Sequence, residues 1–292
     1  MTLSEGTSDG RDVLLDLAGL PGVADAVQEA RDACERLRWH PAMRRRAAEV
    51  RVEAGVQAAR ASAALEGARL PAELVRDAVR GAATLPTDAV GAVVRGAVRA
   101  QAESEHLAAG GARALTSAPW QALARLQIAA AADLVGPDEL GRPRRGDESP
   151  VDDTVLAGVD APGAQSVSAR LDALNGLLSA PTKAPAVVLA AVAQGEVLSL
   201  RPFLAGNGVV ARALFRSLVV GLGLDPMGAV VPELALLTDP AGFGTALRAY
   251  GTGTAQGLAT WIAYAAGSVT RGAEQGTAVA DAVLAGRFPR QE

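Results

Sequence analysis

Apolar residues return along this chain at helical rather than strand intervals almost from end to end. The spacing predicts helices over 12–20 and 22–38. After His40 and Pro41, residues 42–65 run without proline, with Val50, Val52, Val56, Ala59 and Ala63 on one broad stripe. Gly67 suits the position just past that helix and Pro71 the first position of the next. Further helices are predicted over 72–81, 87–107 with Thr87 as cap, and 118–134. Beyond a break they resume over 165–179, 184–199, 207–222, 239–250, 254–271 and 273–286. The break carries Gly136, Pro137, Gly141, Pro143 and Gly146, then Pro, Gly and paired Asp from Val151 to Pro162. Such punctuation predicts a loop or short exposed hairpin inside an otherwise helical protein, where a loop of this length usually has a task. No period of solenoid length is present. The expected class is all-α, with a short β-hairpin as the exception.

Composition narrows the functions. The 292 residues are 49% hydrophobic but only 3% aromatic, so a sizeable core must be built from Ala, Val and Leu. Alanine favours helix yet blurs helix ends, because it gives little amphipathic contrast. The single Cys34 excludes a disulfide scaffold and reads as a small core residue, and two histidines leave little room for His-rich metal chemistry. A net charge of −4 argues against nucleic-acid binding by phosphate neutralisation. The polar, acidic start has no signal-peptide pattern and no run is apolar enough for a membrane, so the expectation is a cytoplasmic protein without membrane or nucleic-acid partners. Lys183 is the one lysine, and asparagine stands only at 175 and 207, a bias of GC-rich coding that gives a retained Asn207 extra weight. Arg44, Arg45 and Arg46 read as a solvated face, and Trp39-His40-Pro41 as a packed helix junction. The chain lacks G-x-S-x-G, H-E-x-x-H and G-x-x-x-x-G-K-[ST].

The informative stretch runs from Pro185 to Pro226. An apolar helix is followed by Leu200-Arg201-Pro202-Phe203-Leu204-Ala205-Gly206-Asn207-Gly208-Val209, and a second helix starts at once. Pro202 and Phe203 turn the chain; Gly206 and Gly208 let the backbone bend, leaving a nest of N–H groups at a helix N-terminus suited to an anion such as phosphate. Arg212 lies about one turn further on, able to place a guanidinium at the same anion. Asn207 reads either as part of that anion loop or as a turn residue, and Arg201 either as a phosphate contact or as a solvated or helix-C-terminal cation.

These residues resemble the Fic (Fido) family, whose signature is HPFx(D/E)GNGRxxR between two helices. Pro202, Phe203, Gly206, Asn207, Gly208 and Arg212 match. Upstream, Ser62-Ala63-Ala64-Leu65-Glu66-Gly67 is similar to the family's inhibitory motif (S/T)xxxE(G/N). The resemblance implies a multihelical Fic-like core over 41–226 with its inhibitory helix at 42–67 and a target-docking flap at about 141–163. An N-terminal helical segment, 1–40, would precede it, and a helical extension, 227–292, would pack on it. It implies an ion pair of Glu66 with Arg212 that blocks a phosphate position, though the pair reads as well as a structural link between helices, and it implies ATP or another nucleotide as ligand and a protein target at the flap. A homodimer is left open.

Three departures decide the expected function. Arg201 stands in place of the catalytic His, and an arginine stays protonated and cannot act as general base. Ala205 replaces the acid that holds Mg²⁺, and Val209 replaces the first signature arginine. Losing a positioned base alone costs roughly 10²–10⁴ in rate. The expectation is a degenerate Fic protein without the family's AMP transfer and without Mg²⁺, acting as a binding or regulatory module. The alternative is a nucleotidyl- or phosphoryl-transferase that uses other residues and is inhibited by Glu66.

Overall fold

The structure, a computed structural model, describes residues 12–150 and 161–287. They form fourteen α-helices and no strand, so the described chain is all-α. Helix α1 (Val13–Ala18) starts at Asp12, whose carboxylate accepts from Leu15 N and also from Thr182 Oγ1 and Lys183 N, tying the chain's start to a distant loop. Helix α2 (Val23–Arg38) buries Val23, Val27, Ala30, Cys34 and Leu37, one face at three-to-four spacing, against the last helix. Burial pushes the Cys34 thiol up to about 12, as an inert core group requires.

The predicted helix 42–65 is two helices, α3 (Pro41–Arg45) and α4 (Ala47–Leu65), because Arg46 leaves helical geometry at φ −132°. Its guanidinium is drawn to Glu49 and to the Val283 carbonyl. Trp39 is 67% exposed, so the junction is not packed by its ring. His40 closes it instead: Nδ1 accepts from Ala42 N and Nε2 meets Asp281 Oδ1 at 3.2 Å. Pro71 is the cap of α5 (Ala72–Val79) rather than its first residue. Helix α6 (Ala89–Ala108) is capped by Asp88, not Thr87, with Gly91 N donating to its carboxylate at 2.8 Å. The short α7 (Arg113–Ser117) leads to α8 (Pro119–Ala131), and beyond the flap region α9 (Ala164–Ser179) follows.

Helices α10 (Ala186–Leu200) and α11 (Asn207–Gly221) are buried over nearly their whole length, which is why their sequences show no polar face. Helices α4, α6 and α8 pack against α11, while α9 and the last two helices pack against α10. Those are α13 (Pro240–Gly251) and α14 (Ala255–Leu284); the short α12 (Pro232–Thr238) precedes them. Two helices were expected over 254–286, but α14 is a single helix of 30 residues. Gly272 does not stop it: a methyl there would lie 2.8 Å from Pro232 N, so the glycine admits the start of α12.

The expected β-hairpin flap is not formed by its described residues 141–150 and 161–163, which are turns and extended chain; residues 151–160 lie outside the described residues. The chain's backbone there bonds to α8 and to the loop after α10, Gly141 N donating to Gln127 Oε1 and Arg144 N to the Pro202 carbonyl, and closes one turn on itself, Glu148 N donating to the Arg145 carbonyl. Among the described residues no helix is long and apolar enough to cross a membrane.

Between α11 and α12 the chain is fixed by two buried charges. Arg216 donates to the carbonyls of Val230 and Gly228, and Asp225 accepts from Val230 N at 2.8 Å. Burial raises the Asp225 carboxyl from 3.8 to about 6. The folded protein therefore keeps a proton that the unfolded chain has released between those two values. This contribution to stability is complete below pH 3.8, falls as pH rises to 6, and is constant above. At 1.36 kcal/mol per unit, the fall is about 3 kcal/mol. Asp225→Asn, compared with the parent by urea unfolding at pH 4 and pH 7, should gain relative stability at the higher pH. An unchanged difference between the two proteins would remove Asp225 as the source.

Candidate active site

The loop from Arg201 to Gly206 joins α10 to α11 and is shaped from both ends. Arg201 caps α10 in the left-handed region at φ 45°, one of two non-glycine residues at positive φ among those described. Gly206 caps α11 at φ 81°, where a side chain would be strained and would press on Ala130. Between them Phe203 is buried in the core, and Asn207 folds its amide back over the loop. Its Oδ1 accepts from Phe203 N at 2.9 Å and its Nδ2 donates to Phe203 O at 2.8 Å. Asn207 thus spends its side chain on holding the turn, and only its backbone remains to face an anion.

Arg201 is 1% exposed, so it is not a solvated cation, although it does sit at a helix C-terminus. Its carbonyl and that of Leu200 accept from Arg144, at 2.7 and 3.1 Å. Arg144 also donates to the carbonyls of Glu148 and Pro162, so a single buried guanidinium ties the end of α10 to both feet of the flap region. Burial, and then the charge of Arg201, pull the Arg144 guanidinium below its ordinary value. Arg142 pairs with Glu148 at 2.8 Å, holding that carboxyl down at about 2. Arg144 is missed by the sequence analysis, because nothing in the turn-rich pattern around it shows that it is buried.

At the other end of the loop the N-terminus of α11 is covered. Arg212, 2% exposed, donates through Nε to Ser62 Oγ at 2.9 Å and through Nη2 to the Ser62 carbonyl at 3.0 Å. The same Nη2 binds Glu66 Oε1. Glu66 caps the C-terminus of α4, and its carboxylate lies over Gly208: a methyl added to Gly208 would collide with Oε1 and lie 3.0 Å from Arg212 Nη1. Gly208 is therefore needed for close approach rather than for its backbone angles. Ser62, Glu66, Gly208 and Arg212, separated by up to 150 residues, form one cluster. A carboxylate sits where the partial positive charge of the α11 N-terminus favours an anion.

Ala205 and Val209, both buried, present only methyl groups to this region. Ala205 offers no oxygen to a metal, and no group of three His, Cys, Asp or Glu side chains is placed to hold one among the described residues. His106 is exposed and His40 is bound to Asp281 at 3.2 Å.

Comparison with solved structures identifies the fold. The chain is similar to a Fic family protein from Desulfovibrio desulfuricans G20, at 18% identity and a TM-score of 0.69, over 93% of this chain and 77% of that one. The chain has the Fic fold. It is also similar to a fragment of Fic-1 from C. elegans, at 16% identity and a TM-score of 0.67, over 91% of this chain and 73% of that one. A Fic domain containing signaling protein from Bacteroides thetaiotaomicron VPI-5482 aligns at 15% identity with a TM-score of 0.66, over 88% of this chain and 98% of that one. No family sequence model matches the chain, and no curated protein matches it. At such identities the Fic fold is shared while the chemistry must be argued from the residues of this chain.

Proposed function

We propose that this protein is a degenerate Fic-fold module that binds an anionic group, a phosphate of a nucleotide or of another metabolite, at the N-terminus of α11, and that Glu66 holds the site closed. The observation that carries the reading is the Glu66 carboxylate lying against Gly208 and paired with Arg212, an internal anion in an anion site. Without a base at position 201 or an acid at 205, the site can hold and neutralise a phosphate but has no group to accept a proton from an attacking hydroxyl. Its output is then a binding event, with the flap as the surface for a polypeptide partner.

The test uses the full chain with Glu66→Gly. Incubated with ATP and Mg²⁺, it should transfer no label to itself or to other proteins, yet ATP, ADP or phosphate should raise its melting temperature. Clear autolabelling would instead establish a transferase using other residues. No stabilisation by any phosphorylated compound would sink the anion-site reading.

A further inference from the structure

Beside Ser62 lies a cavity with room for about one water, between α4, α6 and α11 and closed by α12. Its walls are mostly alanine, with Val209; Ser62, Gln101 and Glu233 supply the polar groups. Glu233 is 4% exposed, and its Oε2 is buried without a hydrogen-bond partner. The nearest cation, Arg216 Nη1, is 3.8 Å away and is spent on the Val230 carbonyl at 2.6 Å. A buried carboxylate oxygen is costly to leave unpaired, so its placement calls for an explanation. Arg212 and Arg216 are one turn apart on α11, and both charges act on Glu233.

We propose that Glu233 is an internal counter-charge to Arg212 and a positioning residue for the anion site. Glu66 neutralises Arg212 at the helix N-terminus, Glu233 does so from the cavity side, and Glu233 sets how strongly Arg212 holds an anion once Glu66 has moved. The inference rests on the anion-site reading above and concerns its regulation. Ser62 is the physical link, because it lines the cavity with Glu233 and accepts from Arg212 Nε. Burial raises the Glu233 carboxyl above the usual range, with Arg216, its own backbone N–H and then Arg212 pulling against it. Ser62 of α4 and Gln101 of α6, which line the cavity with it, are uncharged, and α14 meets the start of α12 through Gly272. A protonated Glu233 leaves Arg212 its full charge; ionised Glu233 offsets part of it, so anion affinity should fall as pH rises.

Sulfate is a suitable probe because it stays a dianion throughout the range. Its affinity for full-length Glu66→Gly, measured by calorimetry at pH 5.5 and 8.5, should be weaker at the higher pH by about fivefold or more, the size expected of one partly screened charge. Glu66→Gly with Glu233→Gln should bind equally at both pH values and more tightly than Glu66→Gly at pH 8.5. Glu66→Gly with Glu233→Asp should keep the pH dependence, and it tests the same point if the glutamine variant does not fold. If Glu66→Gly binds sulfate with the same pH response whether or not position 233 carries a carboxyl, the role of Glu233 is overturned and the anion site stands. If Glu66→Gly binds no sulfate at either pH, the anion-site reading itself falls.

Discussion

Glu66→Gly should melt about 5 °C below the parent in anion-free buffer and recover most of that loss in sulfate or phosphate. Removing one partner of a buried ion pair strands the other, at a cost of about 3–5 kcal/mol when both are fully enclosed. Arg212 is enclosed and keeps its bonds to Ser62, while the Glu66 side chain is 11% exposed. A cost below that range, about 2 kcal/mol, is therefore expected, which is about 5 °C for a chain of this size. An anion at a hundred times its Kd returns about 2.7 kcal/mol. The parent should respond far less, because its own carboxylate already fills the place. Equal melting of parent and variant, with equal indifference to sulfate, would mean that Glu66 is not what neutralises Arg212.

A larger loss is expected from Arg76→Ala. Glu53, midway along α4, is 3% exposed and is held by both Arg76 Nε at 2.7 Å and Nη2 at 2.8 Å. Alanine would leave a carboxylate buried with only Gln57 beside it, at a cost of about 3–5 kcal/mol in urea unfolding. Replacing both partners, Glu53→Leu with Arg76→Met, should recover most of it, because an apolar pair needs no desolvation of charge. The result bears on the lock. A helix anchored this firmly at its middle does not leave the core as a unit, so release of Glu66 belongs to the last turn, at Leu65, Glu66 and Gly67. A cost below about 1 kcal/mol for Arg76→Ala would remove that anchor.

The sequence was most informative where chemistry restricts the choice of residue. Gly206 and Gly208 are legible because one needs a positive φ and the other must admit a carboxylate, and no other residue does both tasks so cheaply. The pairing of Glu66 with Arg212 came from motif resemblance, not from periodicity, since two positions 146 residues apart carry no local sign of contact. The poorly legible parts share a cause. In helices built of alanine, the buried face and the exposed face look alike, so Glu53, Gln101 and Glu233 could not be told from surface polar residues. Helix ends failed for a related reason: Arg46 broke a helix and Gly272 did not, because tertiary contacts with Val283 and Pro232 outweighed local propensity. Asn207 gave the reverse lesson: its scarcity marks a residue whose side chain shapes the loop.

The Arg144 fork has a consequence for how this protein can change. By holding the carbonyls of Glu148 and Pro162 against the end of α10, it fixes both feet of the intervening chain independently of what lies between them. Lengthening a tethered loop is cheap, about 0.6 kcal/mol for each doubling. Residues between the feet can therefore be exchanged, inserted or randomised with little strain passed to Gly206 and Gly208. The stretch between the feet is in effect a replaceable cartridge on a fixed mount, free to change without rebuilding the loop that joins α10 to α11.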